Sequence, residues 1–221
     1  GQIDTFEGCS SFSDPLGNLL FYSDGNTVWN RNHTPMPNGT GLLGDPSSSQ
    51  SAMIIPKPGS TTIYYIFTVG AQSSGGAGFN YYELDMTSNG GFGDIVSGPV
   101  DLSAGRNTAS WTEKVAAVKG ADCETFWVLS LVGNEFLAYY IDSSGVNLTP
   151  APSTVPYFSS DPRGYLKISP DGTKVGVAHM QIGGFLVYDF DDATGAVTNE
   201  LNLQMPVISG ISSSLQPNQP Y

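Results

Sequence analysis

A chain of 221 residues with 27 glycines, 15 prolines, eleven tyrosines and eleven phenylalanines is long enough for one well-filled domain and poor in residues that favour helices. Eight lysines and arginines against twenty aspartates and glutamates give a net charge of −12, which argues against nucleic acid or an anionic bilayer as partner, since both are anionic. No apolar run approaches the roughly 18–20 residues needed to cross a bilayer, and the N-terminus lacks the basic and apolar regions of a secretory leader, as a mature secreted chain also would.

Taken in order, the chain reads as short strands separated by turn residues. Glu7 to Ser13, Leu19 to Ser23 and Thr27 to Asn30 are strands joined by turns at Asp14 to Asn18 and Asp24-Gly25-Asn26. Arg31 to Ser49 reads as an irregular loop rich in Pro, Gly, Asn and Ser, longer than an ordinary connection. A second unit follows, with strands Gln50 to Pro56, Thr61 to Val69, Phe79 to Met86 and Gly93 to Leu102, the turn after Val69 being rich in Gly and Ser. A third has Glu113 to Val118, Glu124 to Val132, Glu135 to Asp142 and a closing segment toward Pro156. The fourth has Tyr165 to Ile168, Lys174 to Met180, Phe185 to Asp191 and Val197 to Leu203, turning at Pro170-Asp171-Gly172, Gly183-Gly184 and Ala193-Thr194-Gly195.

Units beginning near residues 7, 50, 113 and 164 are spaced as propeller blades are, at about 40–50 residues with one insertion. Each has a small or polar first strand, a strongly apolar second, an aromatic third and a weak fourth. The expected fold is therefore all-β: a single β-propeller domain or propeller fragment over residues 1–221, with about four four-stranded antiparallel blades that form part of a larger ring. A β-sandwich of long meanders is the alternative, but it gives no reason for the four-strand order to repeat. Pro220-Tyr221 reads as the start of a fifth unit.

The strings EGCSSFSDPLGNLLFYSDGNTVWNRN, MPNGTGLLGDPSSSQSAMIIPKPGSTTIYYIFTV, TEKVAAV and GYLKISPDGTKV resemble the WD-repeat-like β-propeller region of large secreted surface proteins in Bacteroidetes, which often carry a type IX secretion sorting domain. The resemblance implies a secreted or cell-surface location and a longer parent chain.

Candidate chemistry is sparse. No nucleophile elbow, zinc helix or phosphate-cradling loop is present, and Ser169-Pro170-Asp171-Gly172 lacks the spacing of a sialidase aspartate box. Asn30, Arg31, Asn32 and His33 form a donor cluster suited to a carboxylate or a sugar, or else a loop tied down by its own Asn side chains. Trp111 and Arg163, placed in loops, are candidate recognition groups. His179 alternates with Val177, which suggests a blade interface or blade surface. Glu83 with Asp85, and Asp189 with Asp191 and Asp192, are carboxylate pairs. They recur where third strands end in Asp, which favours turn formation over catalysis.

No cofactor is expected, although Asp14, Asp24, Asp171 and the Asp189 to Asp192 run offer hard oxygen ligands for one structural calcium ion. Cys9 and Cys123 are expected as small buried side chains, unbridged. The function expected is a non-catalytic extracellular module for adhesin-like binding or display. Its partners would be a glycan, a protein or other domains of the same chain. The alternatives are a glycoside hydrolase or lyase, which needs Glu83, Asp85 and Glu113 to converge near the channel mouth, and a structural bead of a surface filament.

Overall fold

The computed structural model describes residues 1–72, 78–157, 161–180 and 184–204. The Gly-Ser-rich turn at 73–77, Gly183 of the Gly183-Gly184 turn and the Pro220-Tyr221 segment lie outside the described residues.

Four antiparallel sheets follow one another along the chain, each a meander in sequence order. The first holds β1 (Ser10–Ser13), β2 (Leu19–Ser23), β3 (Thr27–Asn30) and β4 (Pro35–Thr40); the second β5 (Ala52–Pro56), β6 (Ile63–Val69), β7 (Phe79–Asp85) and β8 (Asp94–Asp101). The third holds β9 (Trp111–Lys119), β10 (Phe126–Val132) and β11 (Glu135–Asp142), its outer strand divided into β12 (Gly145–Val146) and β13 (Ala151–Thr154), which both pair with β11. The fourth holds β14 (Gly164–Ile168), β15 (Lys174–His179), β16 (Gly184–Asp191) and β17 (Ala196–Gln204). These are propeller blades, and the all-β propeller expectation stands.

The second strands are apolar throughout because a middle strand is covered on both faces. In β6 the run Tyr64 to Val69 is buried, as is Trp127 to Val132 in β10. Three apolar layers hold the blades together. Phe21, Val28 and Met36 of the first blade meet Ile54, Ile66 and Leu84 of the second. Tyr65, Phe67 and Phe79 meet Val115, Leu137 and Tyr139 of the third, where the Tyr139 hydroxyl also donates to the Leu102 carbonyl. Leu129, Phe136 and Ala138 meet Leu166, Val177 and Tyr188 of the fourth.

Three local expectations are corrected. The long loop after Asn30 contains β4, whose sequence PMPNGT hides it; Pro35 and Pro37 are tolerated because an outermost strand has a free edge. Trp111 is not in a loop but opens β9 and is buried, its indole N–H donating to Ser130 Oγ at 2.8 Å while its ring stacks on Phe79. Cys9 and Cys123 are unbridged but exposed rather than buried.

Candidate functional site at the inner-strand ends

The antiparallel order gives the blades two ends. Connections between blades, and those between second and third strands, gather at one end; the turns after first strands and after third strands gather at the other. The innermost strands β1, β5, β9 and β14 lie side by side.

At the first end the chain from Pro46 to Ser51 joins all four blades. Gly8 N donates to Ser48 O at 2.9 Å, and Ser51 Oγ donates to Gly8 O at 2.6 Å. Glycine is required at position 8, since a Cβ would stand 2.5 Å from Ser51 N. The Ser49 N–H and Oγ both donate to Glu113 Oε2 at 2.9 Å, while Gln72 N donates to Oε1 at 2.8 Å. Three donors on a side chain only 1% exposed define an acceptor-only carboxylate. Ser49 Oγ in turn accepts from Gly164 N at 3.2 Å. The Gln50 amide reaches the fourth blade, accepting from Leu166 N at 2.8 Å and donating to Leu166 O at 3.2 Å, as a neighbouring strand would.

The charged groups sit beside this junction. Lys114 is fully buried and its Nζ donates to the carbonyls of Pro162 and Arg163, each at 2.7 Å. Burial pushes its ammonium down to about 8, against support from the charges of Glu113 and Asp161. Arg163 grips Asp161 through Nε (2.9 Å) and a terminal nitrogen (2.7 Å), and that side-chain bonding, foremost among its causes, holds the Asp161 carboxyl below its ordinary value. His179, at the end of β15, is buried with its ring 4.8 Å from that of Tyr157. Burial, and then the Lys114 charge, push its imidazole down to about 4, with Asp161 opposing. A lysine with a weakened hold on its proton, a neutral imidazole and two carboxylates in one junction is the kind of cluster that general acid–base chemistry uses. The Arg163 side chain, a third exposed, carries the junction toward solvent.

Both groups contribute to the pH response, the acid side being shared with carboxyls held low, Asp161 among them. The unfolded chain's imidazole takes a proton near pH 6.5, whereas the folded one refuses it until about pH 4. Stability is therefore expected to fall by roughly 2–3 kcal/mol as pH drops through that window. For Lys114 the folded chain sheds its proton near pH 8 and the unfolded chain near 10.5, so stability is expected to rise between those values. Urea midpoints measured across the range check both limbs, and His179→Gln should flatten the acid one.

At the opposite end lie Asn30, Arg31, Asn32 and His33, in the turn after β3. Asn30 Oδ1 accepts from Asn32 N (2.9 Å) and Thr34 Oγ1 (3.0 Å). Asp85, Asp142 and Asp191 end the third strands of the other blades and hold their turns in the same way. The reading of these aspartates as turn punctuation is supported, and Asn30 is its first copy. Arg31 donates to Gly91 O at 2.8 Å and lies over the Phe92 ring at 4.5 Å. It borders an open groove of about 540 Å³ floored by Phe12, Leu20, Tyr64 and Met86. His33 Nδ1 lies 3.1 Å from the Tyr22 hydroxyl. The structure thus separates this set from Trp111 and Arg163.

The three carboxylates proposed for a glycosidase do not converge. Glu83 lies 3.9 Å from Lys57 Nζ, and Asp85 accepts from Thr87, both toward the far end of β7, whereas Glu113 is in the junction. Sequence reasoning passed over Ser49, Gln50, Lys114 and Asp161. The available signal was the charged pair Glu113-Lys114 set directly before the apolar run Val115 to Val118.

No family model matches the chain, and a comparison with curated proteins finds no match. Among solved structures, the periplasmic gluconolactonase of Pseudomonas aeruginosa is similar at a TM-score of 0.51 and 21% identity, over 89% of this chain and 53% of that one. Hydrazine synthase of Kuenenia stuttgartiensis is similar at 0.50 and 15% identity, over 92% and 51%; the Dos1 propeller scores 0.44 at 14% identity, over 92% and 55%. The likeness is one of fold, and the chain spans about half the length of these structures. The expectation of a non-catalytic module does not stand, because proteins of similar fold include a gluconolactonase and a hydrazine synthase, enzymes by name. Among the described residues no helix is long and apolar enough to cross a membrane.

Proposed function

We propose that the chain forms four blades of an extracytoplasmic bacterial propeller that takes an oxygen-rich, carbohydrate-derived ligand at the inner-strand end bearing Arg163. The observation that carries this reading is the junction itself: Glu113, Lys114, Asp161 and His179 are gathered beneath a partly exposed guanidinium. Arginine suits a ligand rich in hydroxyl, carbonyl or carboxylate oxygen. The catalytic form of the reading is opening of a sugar lactone, the chemistry named for the Pseudomonas protein of similar shape. That protein's periplasmic location and the sequence resemblance to secreted surface proteins both support a place outside the cytoplasm. The partners are then an extracellular glycan or its small derivatives.

The test is a panel of aldonolactones followed by acid release, alongside a glycan array. Turnover or binding that Arg163→Ala weakens by about tenfold or more, in a variant whose circular dichroism spectrum is still native at the assay temperature, is the expected result. Silence on every ligand, or a ligand whose handling ignores Arg163→Ala, overturns the reading.

Display on a cell surface is a second reading, favoured by the four surface-protein motif strings in their order. Its ligand contacts would be Asn30, Arg31, Asn32 and His33 beside the groove at the opposite end. Binding lost in Arg31→Ala and kept in Arg163→Ala would select it.

A further inference from the structure

Adjoining blades meet along three apolar seams, and at the end bearing Arg31 the second and third seams are each sealed by a ring. Trp127 of the third blade reaches the turn that follows β16: its indole N–H donates to the Asp192 carbonyl at 2.7 Å, and a Cβ on Gly195 would meet the ring at 2.6 Å. Tyr65 of the second blade reaches the turn that follows β11, its hydroxyl 3.4 Å from where a Cβ on Gly145 would stand. Each ring comes from a second strand and faces the following blade.

The first seam is built differently. Phe21, the ring that β2 turns toward the second blade, is fully buried and packs edge-on against Tyr64, with centroids 5.2 Å apart. The group that reaches the turn after β7 is Arg31, whose Nη1 donates to the Gly91 carbonyl at 2.8 Å. Between that bridge and the turn that starts at Ser13 the seam stays open, as the groove of about 540 Å³, a volume ordinary for a small-molecule site. The bridge and the packing of β4 on β8 close its outer end, which makes it a bounded slot and not a passage for an extended chain.

The two ends of the slot differ in charge. At the inner end Asp14 already accepts from Leu16 N, Asn18 N and Asn18 Nδ2. At the outer end Arg31 is exposed, and among the described residues its guanidinium gives a single N–H, to Gly91, and keeps the others for a ligand. Between them the floor of Phe12, Leu20, Tyr64 and Met86 offers two rings in edge contact at 4.9 Å, an aliphatic chain and a thioether, surfaces on which a flat ring packs well.

We propose that this slot binds a small aromatic carboxylate. Its ring lies on Phe12, Leu20, Tyr64 and Met86, taking the part that Trp127 and Tyr65 play in the other seams, and a short saturated spacer carries its carboxylate to the Arg31 guanidinium. The site is separate from the junction at Arg163, which lies at the other end of the blades.

Calorimetric titration with 3-(indol-3-yl)propionate, its primary amide, tryptamine and propionate tests the assignment. The acid is expected to bind with a Kd of about 1 mM or tighter. The amide should bind at least about fivefold more weakly, since it cannot take a charge-assisted pair from arginine, and propionate, with no ring, should not bind measurably. In Arg31→Gln the acid should fall to the affinity of the amide while the amide keeps its own, a split that damage to the fold would not give. Ser13→Trp, at an exposed position on the rim, should fill the slot and abolish both. Lys167→Ala removes an exposed cation of the fourth blade and should change nothing. An acid Kd weaker than about 1 mM, an amide within about fivefold of the acid, or an acid that ignores Arg31→Gln or responds equally to Lys167→Ala overturns the proposal. Tighter binding of tryptamine than of the acid assigns the slot to a cation at Asp14, and a peptide ending in tryptophan that binds more than about tenfold tighter than the acid assigns it to a polypeptide end; either result overturns the proposal.

Discussion

Replacing Glu113 by alanine is expected to cost about 3–5 kcal/mol of folding stability, a large part of the roughly 5–15 kcal/mol that holds an ordinary domain together. The carboxylate is 1% exposed and takes three hydrogen bonds, from Ser49 N, Ser49 Oγ and Gln72 N. Alanine leaves those donors facing a void that has no acceptor. It also removes a negative charge that supports the buried Lys114 ammonium, so the lysine's hold on its proton weakens further. Glu113→Gln keeps the shape but offers one acceptor oxygen and turns an N–H toward a donor; roughly 2 kcal/mol is expected. Urea unfolding at pH 7 measures both, with Ser49→Ala as the milder comparison. A loss under 1 kcal/mol for Glu113→Ala would mean that the junction does not hold the blades together.

Gly164→Ala is expected to cost at least about 3 kcal/mol, for two separable reasons. Its φ is +123°, a backbone region that side chains rarely occupy. A Cβ there would also fall on the carbonyl oxygen of Ala178 in the neighbouring strand β15, with Lys114 Cε next to it. Neither neighbour can give way cheaply, because Gly164 and His179 are paired across that ladder. Gly105 separates the two contributions: it also has positive φ, at +77°, but nothing lies within 4 Å of an added Cβ. Gly105→Ala should therefore cost only about 1 kcal/mol. Equal losses for the two variants in denaturant titrations would show that crowding at the start of β14 contributes nothing.

Strand identity in this protein is written locally. A middle strand of a stacked sheet is covered on both faces, so IYYIFTV and FWVLSLV are apolar end to end. The turns depend on Asp, Asn and Gly whose side chains and φ values close them within a few residues. The outermost strands β4 and β12–β13 were harder to see, since an edge accepts proline and small polar residues and loses its alternation. Among the candidate site residues, Asn30 could be recognised as the counterpart of Asp85, Asp142 and Asp191 once the units were aligned.

By itself, then, the sequence determined the apolar middle strands and the turn chemistry, which depend on short local patterns, and the spacing of the units, which depends on the recurrence of those patterns along the chain. Only the tertiary structure decided which polar residues matter together. Ser49, Glu113 and Gly164 are 64 and 51 positions apart along the chain, and Gln50 reaches Leu166 over 116. Their meeting is a property of how the inner strands converge, to which local pattern is blind. The same packing made Trp111 a core residue and left the alternate side chains of the last sheet uncovered, since burial is settled by what lies against a face and not by the residue that occupies it.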